Sequence, residues 1–481
     1  MDEVWKKDNG RLCILPFSHF SPRADGEVKL CSDCLPMKGI PKTGTEDQMV
    51  VLEDGASRLI PGVETFNILK GDTIADIWNS EFYKDIRRKM INGERVSICE
   101  QCYLDDAVMD TQGLTGIQSK RYSLTYQQKL ALNYIPQIEY ADKNNGSVGD
   151  YRPQRYEMRL SNVCNLACRI CSPKQSTLLA KEFQNNKEMF PGVPEELIDG
   201  RYGPGVPQLN DNEEAINDII SILPQLHYLE LHGGEPTVHK GVWKILNAAI
   251  ESGDCKHIYI EGHTNILKLT EEHIDTLNQF HKVKISFSID AYDEENKYLR
   301  WPADWNVINE KMKLVKQFND NTVHKRVLSV LNYWNAATFY KLAEWVDEIN
   351  TEYDLGIYHG MDKIVMGLHY RTELAPYELR LEGANKLKEV IERSNLCDFN
   401  SAFHAKKFNS NFAQWQKQFY YDTIKYLSKD YDIDQLNAEL KGKHPNTYDI
   451  KKLAYITKAF DKIRGVSYKD VFPHMPHFKE Y

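Results

Sequence analysis

The sequence has no run near the ~18 consecutive apolar residues that a membrane-spanning helix requires, and no low-complexity tract or internal repeat. Its first ten residues, MDEVWKKDNG, hold three acidic side chains and no apolar core, which is not the pattern of an export signal. Positive charge is not in excess: 60 Lys and Arg stand against 69 Asp and Glu, for a net charge of −9. A diffuse excess of that sign argues against a grip on nucleic-acid phosphates, although a local basic groove would escape the count. The expectation is a cytoplasmic protein with no membrane partner and no nucleic-acid partner. Without an export signal, ten cysteines do not read as a disulfide framework. Eight of them cluster, as metal ligands do.

With 481 residues the chain is long enough for two or three domains. A Gly-, Asn- and Asp-rich stretch, Tyr140 to Arg155, reads as a linker. It divides the chain into 1–140, 150–380 and 381–481. After it, short apolar runs alternate with helical periodicity. Strands are expected at Arg155–Asn162, Tyr228–His232, Lys256–Gly262, Val283–Ile289, Arg326–Leu331 and, more weakly, Lys363–Leu368. Helices are expected near 174–186, 212–223, 241–252, 271–280, 306–318 and 338–349. Six β–α units in series imply a parallel sheet, with its site at the C-terminal strand ends. Beyond Arg380 strand signals vanish and the chain reads as helical.

Cys164, Cys168 and Cys171 follow the first strand with the spacing Cys-x3-Cys-x2-Cys. Three thiolates in one short loop can hold three irons of a cubane and leave the fourth iron open for chemistry. A zinc knuckle with a distant fourth ligand, or three buried thiols, would have the same spacing. The strand ends that follow carry more. Gly233 and Gly234 let a ligand approach the backbone, and Glu235, before Pro236, offers a carboxylate to an ammonium group. Ser288 and Asp290 place a hydroxyl and a carboxylate at the fourth strand end, suited to a ribose. Arg300, twelve residues after Ser288, can fork onto a carboxylate.

In this order the motifs resemble those of the radical S-adenosylmethionine (radical SAM) enzymes. The resemblance covers roughly Arg155 to Arg371. It implies a partial (β/α)6 barrel, with the three cysteines binding a [4Fe–4S] cluster whose open iron is chelated by S-adenosylmethionine. It also implies that Glu235 receives the cofactor's ammonium, that Ser288 and Asp290 lie near its ribose and carboxylate, and that Arg300 meets the carboxylate. Thr264 and Asn265 resemble the family's Thr-Asn-Gly, but Ile266 replaces the glycine. Ile170 stands where an aromatic residue usually precedes the last cysteine. About 62 residues separate Cys171 from Gly233, which points to an insertion near Phe190 to Asn210.

Upstream, Cys13 is followed by twelve residues, Gly26, four residues and Cys31, and later by Cys99-x2-Cys102. Between them Ile74, Ile77, Trp78, Phe82, Ile86 and Met90 fall on one face of an expected helix over 74–94. Spacing alone leaves zinc and iron–sulfur equally open. The segment resembles the twitch domain, the short relative of the SPASM domain. That resemblance implies one auxiliary [4Fe–4S] cluster on Cys13, Cys31, Cys99 and Cys102. The domain usually follows the barrel, and here it precedes it. Cys34 is a surplus fifth cysteine; Cys255 and Cys397 read as buried structural thiols.

The resemblance thus implies an enzyme. It would cleave S-adenosylmethionine reductively and abstract hydrogen from a substrate C–H bond, with an external donor such as flavodoxin or ferredoxin. The substrate would be a peptide or protein side chain, with a small alcohol or an RNA as alternatives. A non-catalytic metal-binding scaffold would have no need of Glu235, Ser288, Asp290 and Arg300. Basic clusters at Arg87-Arg88-Lys89, expected on a solvent face, and at Lys325-Arg326 would be the footprint of RNA. Tyr292, His232 and His263 are candidates for taking a substrate proton.

Overall fold

The computed structural model describes residues 10–31, 39–45, 49–51, 57–59, 62–100, 102–103, 119, 121, 123–127, 130–191, 193–363, 368–394, 397, 410–440 and 448–478. Cys34 lies outside them. Among the described residues the strands in chain order are β1 (His19–Pro22), β2 (Val28–Lys29), β3 (Met49–Val51), β4 (Ser57–Leu59), β5 (Arg155–Met158), β6 (Tyr228–Leu231), β7 (Tyr259–Thr264), β8 (Lys282–Ser288), β9 (Val323–Leu331) and β10 (Ile357–Lys363). The fold is α/β: β5 to β10 are the six strands of a partial (β/α)6 barrel, followed by a helical C-terminal region. The chain divides into two compact units. One is Met1–Ser161 with Pro207–Gly233 and His239–Ile260; the other is Asn162–Val206 with Gly234–Val238 and Glu261–Tyr481.

In the first unit β5 runs parallel to β6 on one side and to β1 on the other, with His19 opposite Arg155 and Phe20 opposite Tyr156. β2 turns back antiparallel to β1. The N-terminal segment therefore extends the edge of the barrel strands. Phe20 stacks on Tyr156 at 5.8 Å and meets Trp78 edge-on at 6.4 Å. The six apolar residues expected on one helical face are all buried. They come from two helices, however, Ile74–Trp78 and Glu81–Ile91, because the Ser80 side chain caps the second by accepting from Tyr83 N.

Asn79, at that break, also ties down the expected linker. Its Oδ1 accepts from Val148 N at 3.0 Å, and its Nδ2 donates to Gly149 O at 2.9 Å. Trp78 Nε1 donates to Tyr151 O at 3.0 Å. The stretch before β5 is thus bound to the helix pair, not free.

Arg87 corrects the solvent-face expectation. It is fully buried, lies 4.6 Å over the Trp78 ring, and donates to Pro16 O at 2.7 Å and Gly146 O at 3.3 Å. Burial pulls its guanidinium pKa down to about 9. Lys325 is likewise buried against Asp320. Neither basic cluster presents a continuous charged surface.

In the second unit β8, β9 and β10 are parallel neighbours. Along β8, Val283, Ile285 and Phe287 are buried, while Lys284 and Ser288 alternate with them half-buried. The helices Thr177–Asn185, Glu271–Leu277, Trp305–Leu314 and Phe339–Tyr353 fall within or close to the expected ranges. The sixth strand lies six residues earlier than expected, at Ile357–Lys363. Residues 364–367 of the expected strand lie outside the described residues. The polar helix Asp293–Leu299 was not expected.

C-terminal helices Tyr377–Arg393, Ser410–Leu427 and Ile450–Arg464 pack around Tyr298, Trp334, Leu387, Tyr420 and Phe472. Phe190, from the insertion, packs on Phe183 at 4.1 Å and Phe460 at 5.4 Å. Cys255 and Cys397 are buried. Among the described residues no helix is long and apolar enough to cross a membrane.

Asn79→Ala would leave Val148 N and the Gly149 carbonyl without partners. The expected cost is about 1–3 kcal/mol, read as a lower urea midpoint with an unchanged m-value.

Candidate active site

The three-cysteine loop begins two residues after Asn162, whose carbonyl accepts from Thr177 N. Its course is fixed by backbone bonds: Ala167 N to Trp301 O at 2.6 Å, Arg169 N to Leu299 O at 2.9 Å, and Cys171 N to Cys168 O at 3.1 Å. Ser176 Oγ closes the loop onto Leu166 O at 2.6 Å. Cys168 is buried, Cys164 half-buried and Cys171 exposed. Burial first, and the neighbouring Cys168 next, push the Cys164 thiol above its ordinary range. Burial raises Cys168 as well, and Arg300 opposes it. Three thiols this close favour their thiolate forms only beside added positive charge, which is the donor chemistry of an iron–sulfur site.

The strand end after β6 lies directly against this loop. Gly234 has no room for a side chain, since a Cβ there would stand 2.0 Å from Val163 O. Gly233 has φ +109 and would clash with Ser161 O at 2.4 Å. Glu235 N then donates to Val163 O at 2.9 Å.

The Glu235 carboxylate is buried and well supplied with donors. Its Oε1 accepts from Thr237 Oγ1 and Thr264 Oγ1, each at 2.7 Å, and from Thr237 N at 3.2 Å. Its Oε2 accepts from Asn265 N at 2.7 Å. Burial raises its pKa and these bonds oppose the rise. Thr264 and Asn265 thus meet the same carboxylate. Asn265 Nδ2 also donates to Asn165 Oδ1 at 2.7 Å, inside the cysteine loop. Ile266 has φ +65, the left-handed backbone that a glycine takes easily. The glycine's conformation is kept without the glycine.

Asp290 and Arg300 hold each other, Arg300 Nη1 to Asp290 Oδ2 at 2.9 Å. Asp290 Oδ1 accepts from Val330 N at 2.8 Å. Arg300 Nε is buried with no partner among the described residues. The desolvation that would lower its pKa is outweighed by Cys168 and Asp290, so it is held above the usual range. Ser288 is half-buried at the end of β8.

Of the three candidates for a proton acceptor, His263 is half-buried near the end of β7 and Tyr292 stacks edge-on to Trp305 at 5.1 Å. His232 Nε2 pairs with Glu230 Oε2 at 3.2 Å. Sequence reasoning missed the charged group around that pair. Arg155 lies 3.7 Å over the Tyr228 ring and bonds Glu230, while Arg159 bonds Glu157. Strand alternation would have found it, because 155 and 157 share one face of β5 and 228 and 230 one face of β6, with 159 and 232 next in the same alternation just past the strand ends.

In the first unit Cys13, Cys31, Cys99 and Cys102 are all buried and unbridged. They line one cavity with Leu15, Pro16, Leu30, Met90 and Arg121. Four sulfurs converging among apolar walls, with one cation alongside, fit a fully ligated metal cluster. Gly26 turns the β1–β2 hairpin between Cys13 and Cys31 at φ +82; a Cβ there would meet Asn67 Oδ1 at 2.3 Å.

Residues 158–346 match the family model described as Radical SAM superfamily, and residues 13–103 match the SPASM iron–sulfur cluster-binding domain. These two domains bring S-adenosylmethionine, its [4Fe–4S] cluster and auxiliary iron–sulfur binding. No curated protein matches the chain. Among solved structures, native anSMEcpe with bound AdoMet is similar at 18% identity and TM-score 0.32, over 49% of this chain and 59% of that one. SuiB from Streptococcus suis is similar at 13% identity and TM-score 0.32, over 64% of this chain and 62% of that one. The chain thus spans about three fifths of each, and at these scores the assignment rests on the family models.

Gly234→Ala should drive Val163, and with it the cysteine loop, out of place. The expected result is a soluble protein that loses the iron of one cluster and keeps the other, read by iron analysis beside a thermal melt.

Proposed function

We propose that this chain, whose residues 158–346 match the Radical SAM superfamily and whose residues 13–103 match the SPASM iron–sulfur domain, is a radical SAM enzyme that oxidises a C–H bond of a polar substrate. We favour a peptide or protein side chain as that substrate. The cofactor pair supplies reductive cleavage of S-adenosylmethionine to methionine and a 5′-deoxyadenosyl radical, which takes the hydrogen atom. The observation that carries the reading is the pair of sites together: an incomplete three-cysteine loop beside well-bonded carboxylates and a half-buried arginine, and a complete four-cysteine cavity.

In this reading Cys164, Cys168 and Cys171 hold the catalytic cluster. Glu235 takes the ammonium of the bound cofactor on Oε2, which accepts only one of the carboxylate's four hydrogen bonds, that from Asn265 N. Thr264, Asn265 and Thr237 keep that carboxylate fixed, so little reorganisation remains on binding. Asp290 steers Arg300, whose unpartnered Nε is available to the cofactor carboxylate, and Ser288 serves the ribose side. Gly233, Gly234 and Pro236 shape the turn that lets the cofactor reach the backbone. Residues 1–140 act as the auxiliary domain, 150–380 as the catalytic barrel and 381–481 as its helical support.

The charged faces of the barrel strands favour a polar substrate. Within the first unit these are Arg155, Glu157, Arg159, Glu230 and His232. Within the second they are Glu261, Lys284 and Arg326. Strands that served an apolar substrate would not carry the desolvation cost of these side chains. Cys13, Cys31, Cys99 and Cys102 would hold an auxiliary cluster with no open ligand position, and such a cluster would supply an electron acceptor and not a substrate-binding iron. A low-potential donor such as flavodoxin or ferredoxin supplies the first electron.

Glu235→Ala should weaken S-adenosylmethionine binding by about 10–150-fold, the loss of one charge-assisted bond. Titration calorimetry on the reconstituted protein measures this, and wild-type affinity would remove Glu235 from the site.

Cys99→Ala with Cys102→Ala should still release 5′-deoxyadenosine from reduced enzyme while giving no oxidised product from a substrate peptide. Solubility and retention of the first cluster are established beforehand, since loss of a metal site can unfold a small domain. Product at the wild-type rate would make the auxiliary site structural.

A further inference from the structure

The C-terminal helix Ile450–Arg464 grips the three-cysteine loop with two side chains one turn apart, the buried Arg464 and the half-buried Asp461. Arg464 Nη2 donates to the Ala167 carbonyl, the peptide just before Cys168, at 2.7 Å. The same guanidinium forks onto Glu182, Nε to Oε1 at 2.8 Å and Nη2 to Oε2 at 2.7 Å, and lies 4.3 Å over the Phe460 ring. Asp461 holds the other side. Its Oδ1 accepts from Arg169 Nη2 at 2.6 Å and from the Tyr298 hydroxyl at 2.8 Å, and its Oδ2 accepts from Tyr468 N. Arg169, in turn, donates Nε to Tyr298 O at 2.9 Å and lies 3.6 Å over the Tyr298 ring.

Both guanidiniums are buried, and Nη1 of each has no partner among the described residues. Buried charge is costly unless it is paired, and each of these two keeps an unused donor. A helix needed only to cover the barrel would place apolar side chains there. Arg464 and Glu182 form a dipole whose positive end points at the peptide of Cys168, and Arg464 acts electrostatically on the Cys168 sulfur.

We propose that Arg464 is a positioning residue for the three-cysteine loop and that the Arg464–Glu182 pair sets the reduction potential of the cluster held there. The proposal rests on the reading that Cys164, Cys168 and Cys171 ligate that cluster. Reduction adds an electron to the cluster, so the positive end of the pair stabilises the reduced state and raises the potential. The hydrogen bond to Ala167 O also fixes the peptide that carries the middle thiolate. The helical C-terminal region is then part of the redox site, although it lies far from the cysteines in sequence.

The test is an EPR-monitored redox titration of anaerobically reconstituted protein against dithionite, with iron analysis of each variant. To isolate the signal, it is run in the Cys99→Ala, Cys102→Ala background. Arg464→Gln, which leaves Glu182 unbalanced, should shift the midpoint to more negative potential. Arg464→Lys should stay near the wild type. Glu182→Gln should shift the midpoint the opposite way, to more positive potential. An unchanged midpoint in Glu182→Gln, or a positive shift in Arg464→Gln, overturns the proposal. Glu182→Gln removes no donor to the loop, so its result decides even where Arg464→Gln does not fold. A wrong ligand assignment shows separately: Cys164→Ala, Cys168→Ala and Cys171→Ala together would then leave the titrated signal in place.

Discussion

Residue 234 admits nothing larger than a hydrogen, and the rest of the site follows from that exclusion. With Val163 O 2.0 Å from where a Cβ would stand, the peptide after β6 and the start of the cysteine loop lie in contact. Glu235 N uses the same carbonyl as its acceptor. The carboxylate that follows is thereby directed away from the loop backbone and onto Thr237, Thr264 and Asn265. Through Asn265 and Asn165 the chain of bonds returns to the loop. A close backbone approach and a ring of hydrogen bonds thus make the loop and two strand ends one rigid object, as a site that must present fixed charge requires.

Much of this was legible because the strands advertise themselves. Runs such as 283–289 are apolar on alternate positions, short, and followed by Ser, Asp or Gly, and these local signals survive folding. Five of the six strands and most barrel helices could be placed this way, while the sixth was sought six residues too late. β1 could not: four residues, one of them Pro22, carry no periodicity, and its pairing with β5 depends on a partner far along the chain. The helix over 74–94 was read as continuous because its apolar face is continuous. The break at Asn79 and Ser80 is set by side chains that bond outside the helix, to residues 148 and 149, which no helical wheel records.

Charge was the least legible property. Arg87 sits beside Arg88 and Lys89 in sequence and reads as one of a basic cluster. In the fold it is buried over Trp78 while Arg88 and Lys89 pair with Asp85. Arg300 was placed by its spacing from Ser288, but spacing gave no hint that Asp290 would already hold one of its nitrogens. Long side chains reach 5 Å or more from their backbone, so sequence locates the Cα of a charge far better than the charge itself.

Arginines shielded from water, wholly or in part, recur wherever this chain gathers thiols. Arg300 and Arg464 both act on Cys168, and Arg121 lines the four-cysteine cavity. Thiolates confined away from water repel each other, and a cluster that cycles between charge states needs compensation that does not titrate. Arginine supplies it, because its charge persists under desolvation that would neutralise lysine or histidine. At the three-cysteine loop the two guanidiniums are themselves balanced by Asp290 and by Glu182. The Cys168 sulfur therefore sees oriented ion pairs and not bare charges. Such a pair adds little to the net charge of the interior, yet it biases the potential at one atom. The placement of its negative partner then matters as much as the arginine itself.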